Sequence, residues 1–154
     1  MAPVRRLYIA GIAAALLVFL VISALLARVF SANDAERSAV TSLVQAQARG
    51  DTDAMLTMIV GCRTSVACQQ RVTQDASQLR RAGVVSILQL NPSTNFSLGG
   101  TLGTARVAWR VGQSLPIVQC VRVRRTGNAI SGLKVELLEL SPRIQSDATC
   151  PARF

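Results

Sequence analysis

Few residues in this 154-residue chain could carry out chemistry. The sequence contains no histidine, which excludes the Ser-His-Asp and Cys-His arrangements of nucleophilic catalysis. Its one tyrosine, Tyr8, lies in a long apolar run. The carboxylates available for acid–base work are Asp75, Glu136 and Glu139, and the spacing of Asp75 and Glu136 places both off the apolar faces of their elements, towards solvent. We therefore predict no catalytic residues, no cofactor and no metal site.

The four cysteines follow the apolar run, at positions 62, 68, 120 and 150. An even number of cysteines outside the cytoplasm predicts two disulfides, and four cysteines allow three pairings. We favour Cys62–Cys68, which closes a short loop, and Cys120–Cys150, which fastens a C-terminal tail. Zinc is the competing interpretation, but the spacing fits no zinc pattern and there is no histidine to assist.

Basic residues dominate the charged ones, with a formal net charge of +9. Strand alternation would place four arginines on one face of adjacent strands: Arg106, Arg110, Arg122 and Arg124. Such a patch could grip an anionic headgroup or an acidic partner; the alternative is an ordinary solvated face. Trp109 falls on the opposite face, as the floor of a cavity or as a core residue. Nucleic acid is a poor partner because the basic residues are dispersed and aromatics are few.

Residues 7–27 contain no charged side chain and are bounded by Arg5, Arg6 and Arg28. As a helix they would extend about 30 Å, the hydrocarbon thickness of a bilayer. A cleaved signal peptide is the alternative, but the run is long and lacks a small-x-small cleavage site. The flanking charges favour a single-pass signal-anchor with a cytoplasmic N-terminus. Because 16 of the 17 basic residues are arginine, we expect a high-GC bacterium and its cell membrane.

The remaining periodicity predicts an α+β domain, helices first and strands after. We predict helices over residues 33–49, just after 51, and 65–81, and strands over 84–90, 104–111, 116–124 and 129–140, with a bulge at Leu137 and Leu138 and a tight turn at Gly127 and Asn128. The predicted segments are a cytoplasmic N-terminus (1–6), the transmembrane helix (7–27), a linker (28–33), an extracytoplasmic domain (34–140) and a disulfide-fastened tail (141–154).

Two stretches carry a resemblance to a known family. The sequence AERSAV at 35–40, leading into AQARGD at 46–51, resembles the opening helix and turn of nuclear-transport-factor-2-like (SnoaL-like) domains, and WRV at 109–111 with PIVQCVRV at 116–123 resembles their paired central strands. The resemblance implies a cone of three helices and a curved four-stranded antiparallel sheet. A short span followed by such a cone is similar in layout to Mce-associated membrane proteins and to assembly factors of type IV secretion systems, in which the cone is thought to be an interaction module.

Together these features predict a non-catalytic scaffold, tethered outside the bacterial cell membrane, that assists an envelope transport or secretion complex. The partners expected are the membrane, an envelope protein and, as an option, a second copy of the chain. The alternative is lipid or small-molecule binding in the cone cavity. A SnoaL- or ketosteroid-isomerase-like enzyme is a third interpretation, which the missing histidine and pocket tyrosine disfavour.

Overall fold

The computed structural model describes residues 2–92, 102–128, 132–151 and 154. Its helices are α1 (Ala2–Arg49), α2 (Thr52–Met58) and α3 (Val66–Gln78), with a 3₁₀ turn at Cys62–Thr64 between α2 and α3. The strands are β1 (Val85–Asn91), β2 (Leu102–Val111), β3 (Ile117–Asn128) and β4 (Gly132–Leu140), which form one antiparallel sheet in the order β1-β2-β3-β4. The predicted α+β class and four-stranded antiparallel sheet are therefore confirmed.

Helix α1 is one continuous helix from Ala2 to Arg49. Residues 28–33, predicted to link the span to the domain, are part of this helix, and the predicted helix start at Asn33 or Asp34 is wrong. Residues 12–49 contain neither proline nor glycine, so the modest helix propensity of Asn33 and Asp34 does not end the helix. Its Tyr8–Leu26 segment is long and apolar enough to cross a membrane.

The second half of α1 packs on the inner face of the sheet. Val40, Leu43 and Val44 are fully buried and share one apolar core with Trp109 and Val121 of the central strands. These helix positions recur every three or four residues, which gives α1 a single apolar stripe facing the sheet. Each strand residue therefore lies either on the inner face, which α1 covers, or on the opposite, outer face.

The connecting segments follow local rules. Asp51 caps α2 by accepting a hydrogen bond from the amide of Ala54 at 3.0 Å, as its position after Gly50 predicts. Ser65 caps α3 in the same way, through the amide of Cys68. Helix α3 ends at Gln78, three residues earlier than predicted.

The strands contain two irregularities of register. In β4 the pairing shifts between Glu139 and Leu137, which confirms the bulge predicted there. In β1 a second shift leaves Leu88 as the extra residue. The tight turn predicted at Gly127 and Asn128 is wrong, because both residues pair with β4 as part of β3. A loop is predicted over residues 93–103 from their serine, threonine and glycine content; residues 93–101 lie outside the described residues, and Leu102 and Gly103 belong to β2 instead. The first residues of the predicted last strand, 129–131, also lie outside the described residues.

Candidate functional site

Both predicted disulfides are present. The sulfurs of Cys62 and Cys68 are bonded, and so are those of Cys120 and Cys150, with Cα–Cα distances of 5.2 Å and 5.7 Å. The first closes the turn between α2 and α3, and the second ties β3 to the C-terminal tail. Because all four thiols are consumed in these bonds, the cysteines cannot form a zinc site.

The four predicted arginines lie on the outer face of the sheet. Arg106 is directly opposite Cys120 in the β2–β3 ladder, and Arg122 and Arg124 follow Cys120 at two-residue steps. Arg110 lies four residues along β2 from Arg106, on the same face. The alternation of the two strands thus brings all four onto one surface.

Two of these arginines are engaged by glutamates of β4. The Arg124 guanidinium contacts the Glu136 carboxylate at 2.7 Å, and Arg122 contacts Glu139 at 3.0 Å. The hydrogen bond from Arg124 lowers the pKa of Glu136 below its ordinary value. Glu136 is therefore an ion-paired carboxylate on the outer face. The two glutamates of β4 largely neutralise the positive charge of this part of the patch.

The C-terminal tail covers another part of the outer face. Arg106 donates hydrogen bonds to the carbonyl oxygens of Ala148, at 3.3 Å, and Ser146. The ring of Phe154 lies 5.5 Å from the guanidinium carbon of Arg122, within the range of a cation–π contact. Together with the Cys120–Cys150 bond, these contacts hold the tail across the arginines.

Arg110 is the member of the patch that differs from the rest. It is half-buried, and its Nε has no hydrogen-bond partner in the part of the chain that the structure describes. The β2–β3 pairing continues from Trp109↔Ile117 towards Arg110 and Pro116. Arg143 of the tail donates to the Pro116 carbonyl at 3.4 Å. Arg110 of β2 and Arg143 of the tail therefore both lie close to the β2–β3 turn.

Trp109, predicted as the floor of a cavity or as a core residue, is fully buried on the inner face. Its indole N–H donates to the Gln119 side-chain oxygen at 3.1 Å, and the Gln119 amide donates to the carbonyl of Ser141. Gln47 of α1 is also fully buried, but neither its amide nitrogen nor its oxygen is hydrogen-bonded to another described group. The inner face thus holds a hydrogen-bonded chain from Trp109 through Gln119 to Ser141, and one unmatched amide at Gln47.

Two surface depressions lie elsewhere. One, of about 630 Å³, is formed by the β2–β3 turn and the tail, including Leu115 and Arg143. The other, of about 330 Å³, lies between the Cys62–Cys68 turn, β4 and Phe154. Trp109 lines neither of them.

Sequence reasoning missed a buried ion pair. Glu36 of α1 is fully buried, and its carboxylate accepts hydrogen bonds from Nε and Nη2 of Arg125 at 2.8 Å and 2.5 Å. Asn33 also accepts from Arg125, at 3.1 Å. The signal was available, since Arg125 is in phase with the inward Val121 and Val123. An arginine in an apolar phase requires a buried partner.

Asp75, predicted to lie in solvent, is only 3% exposed, so that prediction is wrong. It shares the buried stripe of α3 with Val72 and Ala76. Burial raises its pKa to about 7, against the opposing effect of the Arg71 charge. The carboxyl oxygen Oδ2 has no hydrogen-bond partner among the residues placed in the structure.

Fold and surface thus define an α+β domain whose outer face is partly covered by a disulfide-bonded tail and whose first helix contains an apolar segment long enough to span a bilayer. A scan of family models finds no match to the chain, and searches of curated proteins and of solved structures find no similar protein.

Proposed function

We propose that this protein is a non-catalytic scaffold, anchored by a single membrane span, whose domain lies outside the cytoplasm and assists an envelope transport or secretion complex. The observation that carries the proposal is the continuity of α1. The same helix is apolar and exposed over Tyr8–Leu26 and forms the centre of the domain core at Val40, Leu43 and Val44.

The disulfides support the extracytoplasmic location, because such bonds persist in oxidising compartments and are rare in the cytoplasm. The charges support the orientation. Arg5 and Arg6 precede the apolar segment, whereas Asp34 and Glu36 follow it, together with Arg28. A positive excess before a span favours a cytoplasmic N-terminus.

The position of Trp109 supports a surface role, because its side chain belongs to the buried core and is hydrogen-bonded to Gln119. Acid–base chemistry gains no support from the carboxylates, since Glu136 is ion-paired on the outer face and Asp75 is enclosed by α3 and its neighbours. We extend the proposal to the nuclear-transport-factor-2-like cone and to the layout of Mce-associated membrane proteins, which the helix-then-sheet order of the domain fits.

The test is purification of the full-length protein from native membranes in a mild detergent, with mass spectrometry of what accompanies it. We expect transporter or secretion subunits in stoichiometric amounts. Recovery of the protein alone, without any such subunit, would contradict the scaffold role.

The unmatched amide of Gln47 favours the second candidate, a lipid or small-molecule binder, because a buried amide with no protein partner is a polar contact a ligand could use. The same purified protein, examined by native mass spectrometry, would then carry a bound molecule. Replacement of Gln47 by Leu would remove that molecule under this alternative and would leave partner recovery unchanged under the scaffold proposal.

A further inference from the structure

The direction of α1 fixes which end of the domain lies far from the apolar segment. At about 1.5 Å per residue, the helix from residue 27 to residue 49 extends about 35 Å. The Glu36–Arg125 ion pair lies in the first half of this stretch, close to the last residues of β3 and far from its first residue, Ile117. At about 3.3 Å per residue, Ile117 and Arg125 are about 26 Å apart. The β2–β3 turn therefore lies at the end of the domain remote from the membrane.

Contacts of the backbone join several elements at this remote end. The amide of Arg81 donates to the carbonyl of Ala48, near the last residue of α1. Gly83 lies so close to Val111 that a Cβ on it would be 2.8 Å from that side chain. Arg110 precedes Val111, and the neighbouring Pro116 carbonyl accepts from Arg143. We name this the distal basic surface, and its members are Arg80, Arg81, Val84, Arg110, Leu115 and Arg143.

The four arginines of the distal basic surface differ from Arg122 and Arg124 of the outer face, whose charges are neutralised by glutamates of β4. Within the described residues, none of the four lies within 4.0 Å of a carboxylate. The acidic side chains just after α1 are engaged by other arginines, Asp51 by Arg49 at 4.0 Å and Asp53 by Arg63 at 2.8 Å. One exposed carboxylate, Asp147, lies beside Arg143 in the same depression.

Two large apolar side chains stand among these arginines. Val84 is 84% exposed and Leu115 is 79% exposed, the two highest values among the exposed large hydrophobic side chains of the described residues. Val84 directly precedes β1, whose first residue pairs with the last residue of β2, and Leu115 lies in the β2–β3 turn. Exposed apolar groups next to arginines without a carboxylate partner are the composition of a protein interface, in which arginine is enriched.

We propose that the distal basic surface is the docking site for an acidic protein partner that bears its own exposed apolar side chains. The proposal rests on the scaffold function above and adds the surface and the chemistry of the partner. A lipid headgroup fits less well, because the surface is about 35 Å from the end of the apolar segment along α1. A polyanionic polymer fits less well, because it would leave Val84 and Leu115 uncovered.

The test uses the full-length protein in a neutral detergent and two labelled peptides, one of alternating glutamate and leucine and one of glutamate and serine. Fluorescence anisotropy gives both affinities over a range of salt concentrations. The distal variant carries R80Q, R81Q, R110Q and R143Q. The control variant carries R37Q, R63Q, R71Q and K134Q, so that both lower the formal charge from +9 to +5. A third variant, V84S with L115S, is matched by V66S with L88S.

We expect the distal variant to bind the glutamate–leucine peptide about ten-fold more weakly than the control variant does, with a shallower salt dependence. The V84S with L115S variant should bind that peptide more weakly than the wild-type protein does, but it should bind the glutamate–serine peptide equally well. Equal losses in the two charge variants would mean attraction by net charge alone, which overturns the proposal. Equal binding of both peptides by the wild-type protein would indicate a polyanion site and would overturn it as well.

Purification of the same variants from native membranes separates this inference from the scaffold function. If the wild-type protein brings no envelope subunit with it, the scaffold function fails, whatever the peptides show. If the subunits come with both charge variants equally, the scaffold function stands and the distal basic surface is not its docking site. Loss with the distal variant alone is the result expected from the docking proposal.

Discussion

At the scale of single residues, burial decides which charged groups matter. Asp75 and Glu36 are both enclosed, but Glu36 has a guanidinium against it, whereas one oxygen of Asp75 has no partner in the described structure. A paired buried charge supports the fold only while both partners remain, and an unpaired one favours its neutral form. The two carboxyls should therefore respond oppositely to loss of their charge.

Asp75→Asn should stabilise the protein at alkaline pH. The folded pKa of Asp75, raised to about 7 by burial, lies above its ordinary value of 3.8, so the folded state holds the proton more tightly. Stability conferred by this group is thus present below pH 4 and is lost as the pH rises towards 7. We expect the variant to gain roughly 2–4 kcal/mol at pH 8 and nothing at pH 4.

The measurement is thermal unfolding in detergent between pH 4 and pH 8. Asp147→Asn, at an exposed position of the tail, serves as the control. An Asp75→Asn curve parallel to that of the wild-type protein would refute the prediction.

Glu36→Gln should weaken the domain strongly, because it leaves the Arg125 charge buried beside an uncharged group. Removing one member of a buried pair typically costs about 3–5 kcal/mol. Replacing both, as Glu36→Met with Arg125→Met, should recover most of that loss, since the pair no longer has a desolvation cost. Denaturant unfolding of the two variants checks this prediction, and a double variant as unstable as the single one would contradict it.

At the scale of elements, the tail behaves as an added layer fastened to β3. The Cys120–Cys150 disulfide of the tail closes a loop across 30 positions, and a backbone carbonyl of the tail accepts a hydrogen bond from Arg106. Chain-entropy estimates give about 3.7 kcal/mol for this bond and about 2.4 kcal/mol for the short Cys62–Cys68 loop. Although both are structural bonds, we expect only the removal of Cys120–Cys150 to release the tail from the sheet.

Replacing Cys120 and Cys150 by Ser should free the tail and make Arg143 a site of limited trypsin cleavage at temperatures where the wild-type protein resists. Replacing Cys62 and Cys68 by Ser should lower the midpoint of thermal unfolding without opening Arg143. Mass spectrometry of the early fragments distinguishes the two. Identical early fragments from both variants would show that the long bond does not hold the tail.

The features predicted correctly from the sequence depend on the spacing of neighbouring residues. The predictions failed for contacts between residues that are far apart in the chain. Strand alternation is a property of neighbouring residues, and it placed Arg106 and Arg122 on one face without knowledge of the rest. The cysteine pairing followed from loop length alone. Glu36 and Arg125 are 89 positions apart, so only the docking of α1 on β3 shows their contact. The burial of Asp75 likewise depends on the packing of α3 against the rest of the domain.

The unpaired arginines at the remote end were beyond sequence reasoning for a similar reason. Arg80, Arg110 and Arg143 belong to three separate segments, and nothing in the chain indicates that a helix end, a strand and the tail converge. The pattern on β2 and β3 was readable, but the glutamates of β4 that engage Arg122 and Arg124 depend on a register set by the bulge.

At the scale of the whole molecule, α1 makes the apolar segment and the domain one body. A helix without proline or glycine after residue 11 transmits tilt from its first half to its second, since bending would break its hydrogen-bond ladder. Under the proposed membrane anchoring, the domain is then held at a set angle and height above the bilayer.

This rigidity predicts a single distance between spin labels at positions 26 and 49. Pulsed electron resonance on the protein in lipid nanodiscs should give a narrow distribution centred at about 35 Å. Insertion of two glycines after Ser31 should broaden it, because glycine lowers helix stability by about 1 kcal/mol per residue. A wild-type distribution as broad as that of the insertion variant would mean that the helix bends between the two halves.

The bulge at Leu88 affects whether neighbouring copies of this protein can associate through their sheet edges. Proteins confined to a bilayer meet at high local density and in similar orientation, which is the condition under which open sheet edges join. On one edge the extra residue of β1 interrupts the regular ladder, and on the other Leu137 of β4 is already bonded to Val60. Under the proposed membrane anchoring, these two features disfavour the joining of neighbouring copies through their sheet edges.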